Sequence, residues 1–284
     1  MKTPAMILAA LLMLVASQFK SGVEVVRIDV LATSGGKPVN GLTAEDFEVR
    51  DNGVLRDVRL ADAGVSQLDV ILALDMSASL TTERLEQLRA ASEALLRRLR
   101  PDDRAALVTF DEAVTVRRAL SSDFSAIGAA LHGGKRGGRT SLIDAMSAGL
   151  ALAERGDRRT LLLAFSDGVD TSSWLDPETV IEVAKQSSTV VYGVSTGSPS
   201  ATPAMLRDIA DATGGAVLDG TSRKLETTFT DILDEFRQRY LLTFSPDRMS
   251  SPGWHKLEVR VKRRGVTVKA RSGYFVPAKG EGRQ

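Results

Sequence analysis

The sequence has no cysteine among its 284 residues. That excludes a disulfide scaffold, a thiolate zinc site, an iron–sulfur cluster and a cysteine nucleophile. Histidine is almost as scarce, with only His132 and His255. A histidine-rich metal centre is therefore excluded, and any bound metal must be held mostly by oxygen. An excess of one charge is lacking too. Lys and Arg number 37 against 36 Asp and Glu, a formal net charge of +1, so no net field favours nucleic acid or an anionic membrane. Long apolar runs are absent but for one. Ala5 to Ala16 is uncharged and follows Lys2, and Val15-Ala16-Ser17 supplies small residues for cleavage. A spanning helix needs about 20 residues. Met1 to Ser17 therefore reads as a signal peptide cut near Ser17, which makes the mature chain secreted or periplasmic. The alternative is an uncleaved N-terminal anchor. No cysteine follows the run, so lipoprotein processing is excluded, and no later segment is apolar enough to span a bilayer.

What remains is a globular composition, 43% hydrophobic and 26% charged, which rules out disorder over most of the chain. Residues 18–62 read as a small β unit. Val23 to Leu31 is rich in β-branched residues, and Phe47 to Arg50 and Val54 to Leu60 flank Asp51-Asn52-Gly53, a strong hairpin signal. Leu42 to Phe47 reads as a loop or turn. From Leu68 the pattern changes. Leu68 to Leu74, Ala105 to Phe110, Thr160 to Phe165 and Thr189 to Val194 are nearly continuous apolar runs, as expected of strands buried on both faces. Helical patterns alternate with them: Leu85, Leu88, Leu95 and Leu99 on one stripe, then Ser141 to Glu154, Pro177 to Gln186, Pro203 to Ala212 and Leu225 to Arg239. This alternation predicts an α/β fold over 63–240, a doubly wound, mostly parallel sheet with helices on both faces. After Tyr240 the chain is β-rich again, with Tyr240 to Phe244, then Leu257 to Lys262 and Val266 to Arg271 joined by Arg263-Arg264-Gly265. Neither β-rich end can close a stable sheet alone. Residues 241–277 are thus expected to pair with 18–62, so that the α/β domain is inserted into a small β-sandwich. Residues 278–284 read as a frayed tail.

Ligands of doubly wound sheets bind beyond the carboxyl ends of the strands. After the first buried strand comes Asp75-Met76-Ser77-Ala78-Ser79, and residues two apart in extended backbone share a side. After the third comes Ser166-Asp167-Gly168. Between them Gly137-Gly138-Arg139-Thr140 delivers a hydroxyl to a helix start. Two carboxylates and three hydroxyls on one rim are hard oxygen donors suited to Mg²⁺ or Mn²⁺. Two Asp only balance the ion's charge, which leaves it open to an acidic residue of a partner. The competing readings are plain structure: Ser77 and Ser79 as helix caps, Ser141 with Asp144 as a capping box, and Asp167-Gly168 as a turn.

The same residues resemble the metal-ion-dependent adhesion site of the von Willebrand factor type A family. The likeness spans roughly Gln67 to Tyr240. The flanks resemble bacterial extracytoplasmic members, through Gly41 to Phe47 before the domain and Gly273 to Phe275 after it. The resemblance implies that Ser77, Ser79 and Thr140 bind a divalent ion directly, Mg²⁺ or else Mn²⁺ or Ca²⁺. Asp75 and Asp167 would bind it directly or through water. Asp144 and Asp170 are nearby candidates, with Asp144 rather supporting the loop. The implied function is a non-enzymatic adhesion or assembly module whose ion is completed by an Asp or Glu of another protein.

A rival site exists. Gly193-Val194-Ser195-Thr196-Gly197 matches a nucleophile elbow, His132-Gly133-Gly134 resembles an oxyanion-hole stretch, and His255 follows downstream, the order of an α/β-hydrolase-like esterase. But an elbow needs a helix directly after the Ser, and here a loop follows. A third reading is a metal-independent structural envelope domain. Trp174, shortly after the site Asp, is either a partner contact or a residue packed in its loop.

Overall fold

The computed structural model describes residues 25–61, 66–134, 136–153, 158–167, 169–196, 203–221, 224–246 and 251–276. The expected signal peptide and the C-terminal tail lie outside them. The chain opens with β1 (Val26–Ser34), β2 (Lys37–Pro38), β3 (Phe47–Asp51), β4 (Val54–Arg56) and β5 (Arg59–Ala61). Asn52 and Gly53 both have positive φ, 47° and 84°, as a two-residue hairpin turn between right-twisted strands requires. Leu42 to Phe47 contains a single 3-10 turn, Ala44–Asp46, closed by Asp46 bonding the Thr43 backbone N–H at 2.8 Å.

The central unit follows: β6 (Leu68–Asp75), α1 (Thr82–Arg98), β7 (Arg104–Phe110), β8 (Val114–Ser121), α2 (Phe124–Leu131), α3 (Leu142–Leu152), β9 (Arg159–Ser166), α4 (Pro177–Gln186), β10 (Val190–Ser195), α5 (Ala204–Thr213), β11 (Ala216–Asp219) and α6 (Leu225–Arg237). Its sheet has the order β11-β10-β9-β6-β7-β8, parallel except for β8. Both faces are covered, because strand side chains alternate between them. Val70, Leu72 and Leu74 pack with Leu88, Leu95, Phe229 and Phe236 of α1 and α6. Ile71 and Ala73 pack on the other face with Met146, Val180 and Ile209 of α3, α4 and α5. No helix among the described residues is long and apolar enough to cross a membrane.

The chain closes with β12 (Tyr240–Phe244), β13 (Gly253–Val261), β14 (Thr267–Lys269) and β15 (Gly273–Val276). These join the first strands in two facing sheets, β14-β1-β12-β5, with β2 on β1, and β15-β13-β3-β4. Two expectations need correction. Val54 to Leu60 is not one strand: it divides around Asp57-Val58, so that β4 pairs with β3 in one sheet and β5 with β12 in the other. The strands flanking Arg263-Arg264-Gly265 are not neighbours either. β13 pairs with β3, and β14 crosses to β1. Val259 and Val261 thereby meet Val266 and Val268 across one core instead of along one sheet.

A polar cluster lies inside this sandwich. His255, 4% exposed, puts Nδ1 2.8 Å from Asp51 Oδ1 and Nε2 2.8 Å from the Ser251 carbonyl. Arg56 and Tyr274 hydroxyl donate to the other Asp51 oxygen. Burial alone lowers the imidazole pKa. The Ser251 carbonyl and the Asp51 carboxylate outweigh it and raise the pKa above its ordinary value, since both nitrogens face acceptors and only the imidazolium donates to both. A raised folded-state pKa adds stability that is fully present below the ordinary value of about 6.5 and disappears as pH rises through the folded value. Denaturant midpoints measured across that window should fall with rising pH in the parent chain. The decline should flatten in His255→Gln; an equal slope in both would refute the assignment.

Candidate metal centre

β6 lies at the centre of the sheet. The next strand, β7, lies on one side of it and β9 on the other. The winding therefore reverses between β6 and β9, and a crevice opens at their carboxyl ends. Asp75 ends β6, and Ser166 ends β9 with Asp167 next to it.

The loop after β6 is folded on Asp75. One carboxylate oxygen accepts the Ser77 backbone N–H at 2.8 Å, and the other accepts the Ser166 hydroxyl at 2.8 Å. Ser77 and Ser79 hydroxyls are 2.7 Å apart, and Ser79 donates to Asp167 Oδ1 at 2.8 Å. Asp75, Ser77, Ser79 and Asp167 are thus joined in one hydrogen-bonded chain, with the Ser77, Ser79 and Asp167 oxygens in direct contact. Asp75 and Ser77 are buried, Asp167 is half-buried and Ser79 is exposed, so the cluster opens toward solvent. The glycine turn that leads to Thr140, itself buried, is held to the loop after β6 by backbone bonds. The Gly137 N–H donates to the Met76 carbonyl at 2.9 Å, and the Ala78 N–H to the Gly138 carbonyl at 3.2 Å. Gly138 makes this turn at φ +69°, and a Cβ there would lie 3.1 Å from Glu112 Cγ. The position therefore calls for glycine.

The electrostatics favour a cation. Burial raises the Asp75 pKa above the ordinary carboxylate value despite its hydrogen bonds to Ser77 and Ser166, and the Asp167 charge adds to the rise. No Lys or Arg among the described residues pairs with either carboxylate. Two carboxylates with hydroxyls between them and no paired Lys or Arg among the described residues are a donor set that fits a hard divalent ion. No three His, Asp or Glu side chains gather as a metal cluster among the described residues. Hydroxyls fill the set here in place of further carboxylates.

The plain structural readings of these residues find other owners. Thr81, not Ser77 or Ser79, caps α1 by accepting the Arg84 N–H at 3.1 Å. Ser141 and Asp144 form no capping box. The Ser141 hydroxyl is 2.9 Å from that of Ser172, and the Asp144 carboxylate accepts the Trp174 and Leu175 backbone N–H groups. Asp170 accepts the Ile143 N–H at 2.9 Å and the Ser173 hydroxyl at 2.6 Å. Asp144 and Asp170 both turn to the 171–175 loop rather than into the cluster. Sequence reasoning missed Ser166, which holds Asp75, and Thr171, which accepts the Thr140 N–H at 3.0 Å. The signal for Ser166 was its place directly before Asp167, and that for Thr171 was the Thr171-Ser172-Ser173 hydroxyl run.

The rival pair is not assembled. Ser195 ends β10, and the next helix begins only at Ala204. His255 sits in the sandwich with both ring nitrogens engaged by Asp51 and Ser251. His132 lies 2.8 Å from Glu93.

The model of the von Willebrand factor type A domain family matches residues 69–233. No curated protein matches the chain. Among solved structures, proximal thread matrix protein 1 from the mussel byssus, with a zinc-occupied MIDAS motif, is 18% identical with a TM-score of 0.52, over 65% of this chain and 49% of that one. An aerotolerance-related membrane protein from Bacteroides fragilis is 16% identical with a TM-score of 0.49, over 60% of this chain and 99% of that one. The PilB minor pilin from Streptococcus sanguinis is 16% identical with a TM-score of 0.49, over 61% and 62%. The byssus protein shares the fold with this chain.

Proposed function

The chain belongs to the von Willebrand factor type A domain family, and on that premise we propose that it is an extracytoplasmic, non-enzymatic protein-binding module of adhesion or assembly that depends on a divalent ion. Asp75, Ser77, Ser79, Thr140 and Asp167 hold the ion, Mg²⁺ or Mn²⁺ in preference to Ca²⁺. The bound ion supplies a Lewis-acidic position for an Asp or Glu carboxylate of the partner. The observation that carries this reading is the hydrogen-bonded chain that runs from Asp75 through the Ser77 backbone N–H, and from the Ser77 hydroxyl through that of Ser79 to Asp167, at the switch point of the sheet. The zinc-occupied motif of the byssus protein supports it by analogy. The segment Met1 to Ser17 supports the extracytoplasmic location.

Calorimetric titration of the full chain with Mg²⁺ and Mn²⁺ tests the proposal. One ion should bind the parent chain and Ser195→Ala alike. Ser77→Ala should lose the ion while losing about 1 kcal/mol of stability for one hydrogen bond. Equal binding by Ser77→Ala would overturn the site. No binding by the parent would leave the structural-domain reading. Hydrolysis of p-nitrophenyl acetate that disappears in Ser195→Ala and in His255→Gln would favour the esterase.

A further inference from the structure

Trp174 is 93% exposed, the most exposed large apolar side chain among the described residues. Single exposed apolar side chains are ordinary on a protein surface, but the next most exposed among the described residues, Leu55, is at only 59%. Nor is Trp174 on a loose loop. The Asp144 carboxylate accepts the Trp174 backbone N–H at 3.2 and 3.0 Å from its two oxygens and the Leu175 N–H at 3.0 Å. Asp170 holds the same loop through Ser173, and Asp176 caps α4 directly after it at 2.9 Å. Thr171 and Ser172 donate from the loop backbone to the Thr140 carbonyl. The platform that carries the indole is therefore tied to the residue that carries a proposed ion ligand. Val169 and Leu175, 56% and 39% exposed, widen the apolar surface beside it. Arg136 and Arg139, both exposed, lie on the neighbouring Thr140 loop.

We propose that Trp174 is the docking surface for an apolar side chain of the partner. The partner is a protein segment that presents an aromatic or aliphatic residue close in sequence to its acidic one. This rests on the metal-binding reading above. The carboxylate goes to the ion, the apolar side chain lies against the indole, and Arg136 and Arg139 favour an acidic surrounding sequence. Trp is among the residues in which binding hot spots are enriched, and a backbone already held by Asp144 leaves only the side chain to be ordered on association. Asp144 is here a positioning residue for Trp174, not an ion ligand.

The test uses the full chain in Mg²⁺ and a phage-displayed library of random linear peptides, with clones released by EDTA. Clones selected on the parent should combine an Asp or Glu with a nearby aromatic or aliphatic residue. A synthetic peptide copied from such a clone should bind Trp174→Ala at least about tenfold more weakly, with Mg²⁺ affinity unchanged. In Trp254→Phe, the emission of Trp174 should shift to shorter wavelength as the peptide binds. Acidic clones with no apolar enrichment, or equal peptide affinity for Trp174→Ala, would overturn the proposal while leaving the ion site intact. An emission shift on phosphatidylglycerol vesicles without peptide would overturn it in favour of a lipid surface. Failure of the parent to bind Mg²⁺ by calorimetry would instead overturn the reading beneath it.

Discussion

Asp75→Asn is expected to abolish divalent-ion binding while leaving the metal-free fold at least as stable as the parent. The two halves of that result come from different properties of one side chain. Its hydrogen bonds do not need a charge. An amide oxygen can accept the Ser77 N–H, and the amide nitrogen can donate to the Ser166 hydroxyl, which replaces the two bonds the carboxylate makes. Its charge is a burden without an ion, because the side chain is buried and Asp167 is close enough to oppose its ionisation. Removing that charge relieves an uncompensated buried anion. With an ion present the balance reverses, since the substitution takes away one of two charge-balancing oxygen donors. Loss of a residue that only supports a ligand already costs about 10–100-fold in metal affinity, so loss of this one should reach the upper end or beyond. Calorimetry with Mg²⁺ and Mn²⁺ measures the affinity, and thermal unfolding in EDTA and in excess Mg²⁺ measures the stability. The parent should gain about 2.7 kcal/mol when the ion is at roughly a hundred times its dissociation constant, and Asp75→Asn should gain nothing. A variant that unfolds early in EDTA would show that Asp75 is chiefly structural.

The contrast between Asp75 and Asp144 shows what sequence could and could not convey. Asp75, Ser77 and Ser79 lie within five residues, so their convergence is local, but it is made by a turn from Ser77 to Leu80 and not by the extended backbone that the spacing suggests. Asp144 stands three residues after Ser141, a spacing that suggests a capping box. Its actual partners, Trp174 and Leu175, lie about thirty positions away, where no local pattern reaches. The same division holds for the fold. The four buried strands of the central sheet were legible because strands covered on both faces carry continuous apolar residues. The hairpin at Asn52-Gly53 was legible because few residue pairs accept positive φ twice. Helix α2 was missed: Phe124–Leu131 has only eight residues, with Gly128 inside and too short a stretch to display a period. Its start signal, Asp123 accepting the Ala126 N–H, was present but easily taken for a turn. β14 joined an unexpected sheet because its alternation fixes which side faces a core, not which strand it pairs with.

Asp29→Ala should destabilise the whole chain by about 3–5 kcal/mol, the loss typical of breaking a buried ion pair from one side. Arg159 begins β9 in the central sheet and its side chain is 0% exposed. Its guanidinium meets the Asp29 carboxylate of β1 at 2.5–2.6 Å, donates to the Phe236 carbonyl at 2.9 Å and lies 4.6 Å from the centre of the Phe236 ring. The first strand of the sandwich thus neutralises a cation buried in the α/β unit, across 130 positions of sequence. Truncating Asp29 takes the 2.5–2.6 Å carboxylate contact away from a buried cation, and weakening the pairing of a buried charge is costly. Arg159→Met alone should be damaging for the converse reason, although Asp29 is 10% exposed and keeps some access to water. Asp29→Ala with Arg159→Met should lose less than the sum of the two, because an apolar side chain of similar length fills the site and no charge remains to be matched. Urea unfolding of the four chains gives the coupling directly. Additive losses would mean that the two units are held together by their apolar contacts, with the ion pair incidental. A large favourable coupling would mean that residues 63–240 depend on β1 for a counter-ion, and that this span expressed alone should unfold more readily than the same span in the full chain.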